Sequence, residues 1–255
     1  MTVETPATAP GIMLRNMRHA LSLGLREIEG CRPHAHTLCV AGGGPSLADT
    51  CQDMRGFVAA INGSQKFLTD RGILDPGPHM PDVITADPRV RYYVASICDP
   101  GVFAKLRGCD VRLWHPTAVC GGQGLLELER PDGWLQVGGG STMGMRWIFL
   151  GYMLGFRTFH LHGLDSSFRG EATHAYPDRV RGGQILKVHG RLTRRNFVEQ
   201  VNDFFDMLDI FARPDVEPTE FKVFGDGLLQ DRYRAWQRDK KMERWPRWLR
   251  DLVAA

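Results

Sequence analysis

The residues best suited to chemistry lie in a few clusters. The first is Gly42-Gly43-Gly44-Pro45-Ser46-Leu47, which follows the short apolar run Thr37-Leu38-Cys39-Val40-Ala41. It reads as a glycine turn between a buried strand and a helix opened by Pro45 or Ser46. Such a turn aims backbone N–H groups at an anion, and the helix dipole adds to the attraction. A nucleotide phosphate would suit it, and a tight turn without a ligand is the plain alternative. The dinucleotide fingerprint fits poorly, because Leu47 replaces its third glycine and Asn62, not an acid, follows the next strand. The Walker A pattern fails for want of a Gly-Lys-Ser/Thr. The second cluster, Gly138-Gly139-Gly140-Ser141-Thr142, precedes a helix and has the same logic, although Ser141 or Thr142 would also serve simply as a cap. Two such loops in one domain suggest a nucleotide held between them. The third cluster is His162-Gly163-Leu164-Asp165-Ser166-Ser167, with His174 in the loop beyond. Asp165 suits a ribose hydroxyl, a metal or a substrate hydroxyl, and His174 or His189 suits a general base near neutral pH. Asp87, in Thr85-Ala86-Asp87-Pro88, could hold Mg²⁺ against phosphates or simply make a turn.

Positioning these residues requires alternating strands and helices. Met13 to Ile28 carries apolar residues at helical spacing. Strands are expected at 37–41, 57–61, 82–86, 111–114, 134–137, 158–162 and 220–224. Helices are expected at 142–154 and 197–211. Short apolar strands between helices imply an α/β fold, a Rossmann-like, mostly parallel sheet flanked by helices. Ligands of such sheets bind beyond the carboxyl ends of the strands. The polar residues at 42–46, 62, 87 and 165 are therefore expected to converge on one rim. The segment 231–251 interleaves Arg and Lys with Trp236, Trp245 and Trp248, and Pro246 breaks any single long helix there. The organisation expected is a tail and helix over 1–30, a transferase domain over 31–230 and a basic helical tail over 231–255.

The chain of 255 residues is 43% hydrophobic and 24% charged, which excludes wholesale disorder. No stretch reaches the roughly 18 apolar residues needed to cross a bilayer. No secretory signal is visible, so the cytoplasm is the expected compartment. A net charge of +3 is too small to imply a nucleic-acid partner by itself. The six cysteines, Cys31, Cys39, Cys51, Cys98, Cys109 and Cys120, lack C-x-x-C or zinc-ligand spacing and read as reduced thiols. His160 and His162 share one strand face and read as core or lining residues rather than a metal pair. The basic tail reads first as a solvated helix packing its Trp on the domain. Docking to an anionic membrane surface or an acidic protein comes second.

Val40-Ala41-Gly42-Gly43-Gly44-Pro45-Ser46-Leu47 resembles the opening of the MptE-like family. That family includes archaeal 6-hydroxymethylpterin diphosphokinases and bacterial motility-accessory-factor glycosyltransferases. Gly139-Gly140-Ser141-Thr142, Leu154-Gly155-Phe156, Leu161-His162-Gly163-Leu164-Asp165 and Thr173-His174-Ala175 resemble its later blocks. The segment Thr85-Ala86-Asp87-Pro88-Arg89 departs from it, holding one acid where the archaeal members carry T-D-L-D-G. The same blocks are similar to bacterial sialyltransferases that use CMP-sugars, in which a strand-end Asn and a late His occupy places comparable to Asn62 and His189. The resemblance implies a nucleotide-dependent group transferase. Its co-substrate would be ATP, with Mg²⁺ and diphosphate transfer to a hydroxymethyl group, or a CMP-sugar, without metal and with a surface glycan or flagellin as acceptor. A non-catalytic nucleotide-binding module is the alternative of a different class.

Overall fold

The computed structural model describes residues 10–61, 64, 80–117, 119–120, 123–124, 135–140, 142–176 and 184–243. The chain opens with helix α1 (Pro10–Ser22). Strand β1 (Thr37–Ala41) runs through the glycine loop into the short helix α2 (Leu47–Thr50), a 3₁₀ turn at Cys51–Asp53 and β2 (Phe57–Ala60). Then come α3 (Met80–Val83), β3 (Arg91–Ala95), α4 (Pro100–Lys105) and β4 (Asp110–Pro116). Two-residue strands β5 (Val119–Cys120), β6 (Gln123–Gly124) and β7 (Gln136–Val137) lead to α5 (Met143–Met153) and β8 (Thr158–His162). A hairpin of β9 (Ile185–Val188) and β10 (Arg191–Arg194) precedes α6 (Arg195–Phe211), β11 (Glu220–Val223) and α7 (Leu228–Glu243).

The fold is α/β and Rossmann-like. A four-stranded parallel sheet has the order β11-β8-β1-β2, and a three-stranded parallel sheet has the order β3-β4-β7. From β1 the chain moves outward to β2, and from β8 it moves the other way to β11. The order therefore reverses between β1 and β8, where open sheets of this kind leave a crevice at their carboxyl ends.

Side chains alternate across each strand, so the central strands bury two different faces. Leu38, Val40, Phe159 and Leu161 join the main core with Val201, Phe204, Met207, Leu208 and Phe211 of α6. The spacing of the α6 residues gives that helix one apolar stripe. Cys39 and Ala41 face the other way, into a smaller cluster with Leu47, Met54 and Ala60. Register pairs Cys39 with His160 and Ala41 with His162, so both histidines share this second face.

Three expectations change. The strand expected at 82–86 is absent: α3 ends at Val83, and the chain then turns at Asp87, whose carbonyl accepts from Val90 N–H at 3.1 Å. Ile84 alone plugs the core while Thr85 and Ala86 are exposed, so the β-branched run lacks the neighbours a strand needs. The strand that forms, β3, begins four residues after Asp87. Asp87 thus stands before a strand's amino end and not at the carboxyl rim. The first helix stops at Ser22, with Gly24 at a φ of +59°, and Ile28 instead bonds the main chain of Leu113. Finally, α7 runs through the expected boundary at residue 231, and Leu228, Leu229, Gln230 and Tyr233 are buried.

Candidate functional site

The first glycine loop is bound into β8 rather than standing open. Gly42 N–H donates to the His162 carbonyl at 2.8 Å and Gly44 N–H to the Gly163 carbonyl at 2.7 Å. A Cβ at Gly42 would meet the Gly163 carbonyl, and one at Gly44 would stand 2.8 Å from the Asp165 carboxyl carbon. These glycines allow strand loops to touch, as the plain alternative of a tight turn expects. Pro45 and Ser46 lead into α2, and Ser46 N–H and its hydroxyl both donate to the Asp165 carboxylate, the former at 2.7 Å. Gln230 approaches the same carboxylate at 3.5 Å, and Leu229 N–H donates to the Asp165 carbonyl at 3.2 Å. Asp165 is therefore a buried tie between β1, β8 and α7. Burial pushes its pKa up, against the opposing pull of the Ser46 donors.

The rest of that loop is fastened in the same way. Ser166 has a φ of +55°, accepts from Gln200 at 3.0 Å on its hydroxyl and from Thr193 at 2.7 Å on its carbonyl. Ser167 accepts Leu228 N–H at 3.1 Å. A residue with its backbone held in the left-handed region by several buried bonds marks a loop whose shape is imposed from outside.

The second glycine loop is also closely packed, since a Cβ at Gly139 would meet the Phe149 ring and one at Gly140 the Met145 side chain. Gly139 and Gly140 have φ of +90° and +66°, turning the chain into α5. Thr142 caps α5 without a side-chain cap bond, and among the described residues its buried hydroxyl has no hydrogen-bond partner. The first turn of α5 carries Arg146, whose guanidinium donates to the Thr117 carbonyl at 3.3 Å. Burial pushes the Arg146 pKa down, and the field of Asp203 acts in the other direction. A helix N-terminus, a hydroxyl wanting a partner and a partly desolvated cation together favour an anion. Sequence reading missed Arg146, although its place four residues after Thr142 was a visible signal.

The first glycine loop and the first turn of α5 both adjoin Leu164. A Cβ at Gly42 would lie 2.5 Å from the Leu164 side chain, and one at Gly144, in the first turn of α5, 2.7 Å from it. The loop after β1 and the start of α5 thus pack on one residue of the loop after β8. Over the first loop lies the 174–176 segment. Ala175 N–H donates to the Gly43 carbonyl at 2.9 Å, and a Cβ on Gly43 would meet Tyr176 at 2.6 Å and His174 at 2.8 Å. His174 Nδ1 lies 3.1 Å from the Thr173 hydroxyl, and its ring leans on Tyr176 at 5.1 Å.

The remaining candidates are dispersed. His189 is exposed at the tip of the β9–β10 hairpin with a φ of +48°. Asp87 is clasped by Arg89, at 3.0 Å through Nε and 2.7 Å through Nη2. Asn62 and Ser141 lie outside the described residues. A cleft of about 480 Å³ between α1 and α4, lined by His19, Phe103 and Arg107, contains none of the sequence-predicted residues among its described walls. His160 and His162, expected as lining residues, gather with Cys39, a grouping hidden from linear spacing.

No family model matches the chain, and no curated protein matches it. Among solved structures, the MAf glycosyltransferase from Magnetospirillum magneticum AMB-1 matches with a TM-score of 0.58 at 14% identity. The match covers 90% of this chain and 42% of that one, so this chain spans less than half of the protein it resembles. What the two share is the fold.

Proposed function

We propose that this chain is a glycosyl-transferring enzyme whose donor is a sugar activated through a nucleotide phosphate, of the CMP-sugar type. The observation that carries the reading is the packing of the first glycine loop and of the first turn of α5 on Leu164, beside the β1–β8 switch point. The fold shared with a MAf glycosyltransferase supports it. In this reading the phosphate lies at the α5 N-terminus, among Gly139, Gly140, Thr142 and Arg146. His174, over Gly43, takes the proton of the acceptor hydroxyl. That oxygen attacks the anomeric carbon, the bond from carbon to phosphate oxygen breaks, and the nucleotide leaves with the electron pair. Positive charge and helix N–H groups stabilise the departing phosphate. Diphosphate transfer from ATP is disfavoured, because Asp87, the acid expected to hold Mg²⁺, is clasped by Arg89 away from the carboxyl rim.

A thermal-shift screen of CMP, CDP, UDP, GDP and ATP, with and without Mg²⁺, tests the reading. CMP without metal is expected to raise the melting point, by about 2.7 kcal/mol of stability at 100 times its Kd. Stabilisation by ATP alone, and only with Mg²⁺, would overturn it in favour of diphosphate transfer. In a donor-turnover assay, His174→Ala is expected to lower the rate by about 10²–10⁴-fold, the usual worth of a general base. Unchanged turnover in that variant removes His174 from the mechanism.

A further inference from the structure

We propose that Cys39, His160 and His162 form a binding site for a zinc-like divalent cation beneath the first glycine loop. Their ligand atoms, one thiol sulfur and two imidazole nitrogens, lie within 4.8 Å of one another. Around a tetrahedral zinc such atoms stand about 3.5 Å apart, so side-chain rotations must contract the set by up to about 1.3 Å. The set is built across two adjacent strands, with Cys39 opposite His160 and His162 one step further along the same face.

His162 supplies the independent observation. Its side chain is wholly buried, and among the described residues neither ring nitrogen makes a hydrogen bond of normal geometry. Buried imidazoles without partners are costly unless something else satisfies them. The ring is stacked on Phe224 with centroids 4.3 Å apart and planes 7° from parallel. Stacking occupies the ring's face, whereas a metal binds in the ring plane, so the two contacts do not compete.

The protonation states agree with this. Burial holds His162 near a pKa of about 4, with a smaller contribution from His160, while Asp53 and the Thr50 main chain pull it slightly upward. Burial and the Lys222 ammonium on the neighbouring strand likewise lower His160. Both imidazoles are neutral at neutral pH, the form that ligates metal. Cys39 is fully buried, and its thiol donates to the Arg55 carbonyl at 3.2 Å. Burial raises the pKa of that thiol, so metal binding must displace its proton to solvent. Thiolate with two imidazoles selects a borderline-soft cation such as Zn²⁺ over Mg²⁺ or Ca²⁺, which prefer oxygen. Three protein ligands leave a fourth position for water. The main-chain bond from Gly42 N–H to the His162 carbonyl, and the packing of Ala175 on the same small cluster, connect the site to the loop that His174 covers.

The test uses the full chain, purified without a histidine tag and treated with chelator, then titrated with Co²⁺ as a spectroscopic probe and with Zn²⁺ in competition. One equivalent of Co²⁺ is expected to give a thiolate-to-metal charge-transfer band that Zn²⁺ abolishes. Cys39→Ser is expected to lose that band and His162→Gln to weaken binding by more than about 100-fold, beyond the loss of an outer-shell partner. Cys51→Ser is expected to bind like the wild type. Absence of the band in folded wild-type chain, or its persistence in folded Cys39→Ser, would overturn the proposal. The readout on wild type stands even if a variant fails to fold.

Discussion

Asp165 illustrates how a residue with catalytic promise becomes a structural tie. It was legible as a strand-end acid at the rim. Its partners were not, because Ser46 lies 119 positions away and Gln230 a further 65. Its raised pKa has a thermodynamic consequence. The folded state holds the proton more tightly than the unfolded chain. The stabilisation from the protonated form is therefore full below the ordinary carboxylate pKa and is lost as pH rises through the folded value. Asp165→Asn removes the titration. Urea melts across the weakly acidic range are expected to show wild-type stability falling with pH relative to this variant, and parallel curves would contradict the assignment. Asp165→Ala leaves the Ser46 donors without an acceptor and is expected to cost about 1–3 kcal/mol for each donor stranded in the interior.

At the scale of the element, the β9–β10 hairpin shows what a sequence can and cannot disclose. Pairing of Val188 with Arg191 leaves His189-Gly190 as a two-residue turn, with φ of +48° and +80°. Both positive angles fit the hairpin turn that Asn-Gly usually makes. His189→Asn is therefore expected to melt like the wild type, whereas His189→Val is expected to lose about 1–2 kcal/mol by forcing a branched side chain into the left-handed region. Calorimetry on the two variants checks this, and both should keep full donor turnover if His174 is the base. His189 stood out in the sequence for its side-chain chemistry, while the feature that governs its place is a backbone angle. The strands that were read correctly, such as β1 and β8, are buried on both faces and so announce themselves as apolar runs. The strand β3 was overlooked because Arg91 and two tyrosines dilute its pattern, while Tyr92 and Val94 are wholly buried in the folded chain. Of the candidate site, the glycine turn after β1 and its neighbour Asp165 after β8 followed from strand-end logic. The clasp on Asp87 and the Cys39–His160–His162 grouping did not, since each depends on pairings that only the folded sheet creates.

For the molecule as a whole, the first turns of α7 are part of the core. Leu228, Leu229 and Tyr233 are buried, and Trp236 stacks on Tyr233 at 5.7 Å. Each fully buried large apolar side chain contributes about 1.5–3 kcal/mol, and a domain's net stability is only about 5–15 kcal/mol. A chain cut after Phe224 is thus expected to lose most or all of its cooperative thermal transition. A truncated chain melting within a few degrees of the full one would show that α7 is dispensable. Among the described residues no helix is long and apolar enough to cross a membrane.

The tie from Ser46 through Asp165 to Gln230 also sets an order in time. A glycine loop made early in synthesis finds its anchoring carboxylate only after β8 has been made, and that carboxylate gains its last neighbour only once α7 docks. Contacts so far apart along the chain form late, because loop closure must precede them. A nascent chain still lacking Gln230 on the ribosome would therefore have an unfastened crevice between the loops after β1 and β8.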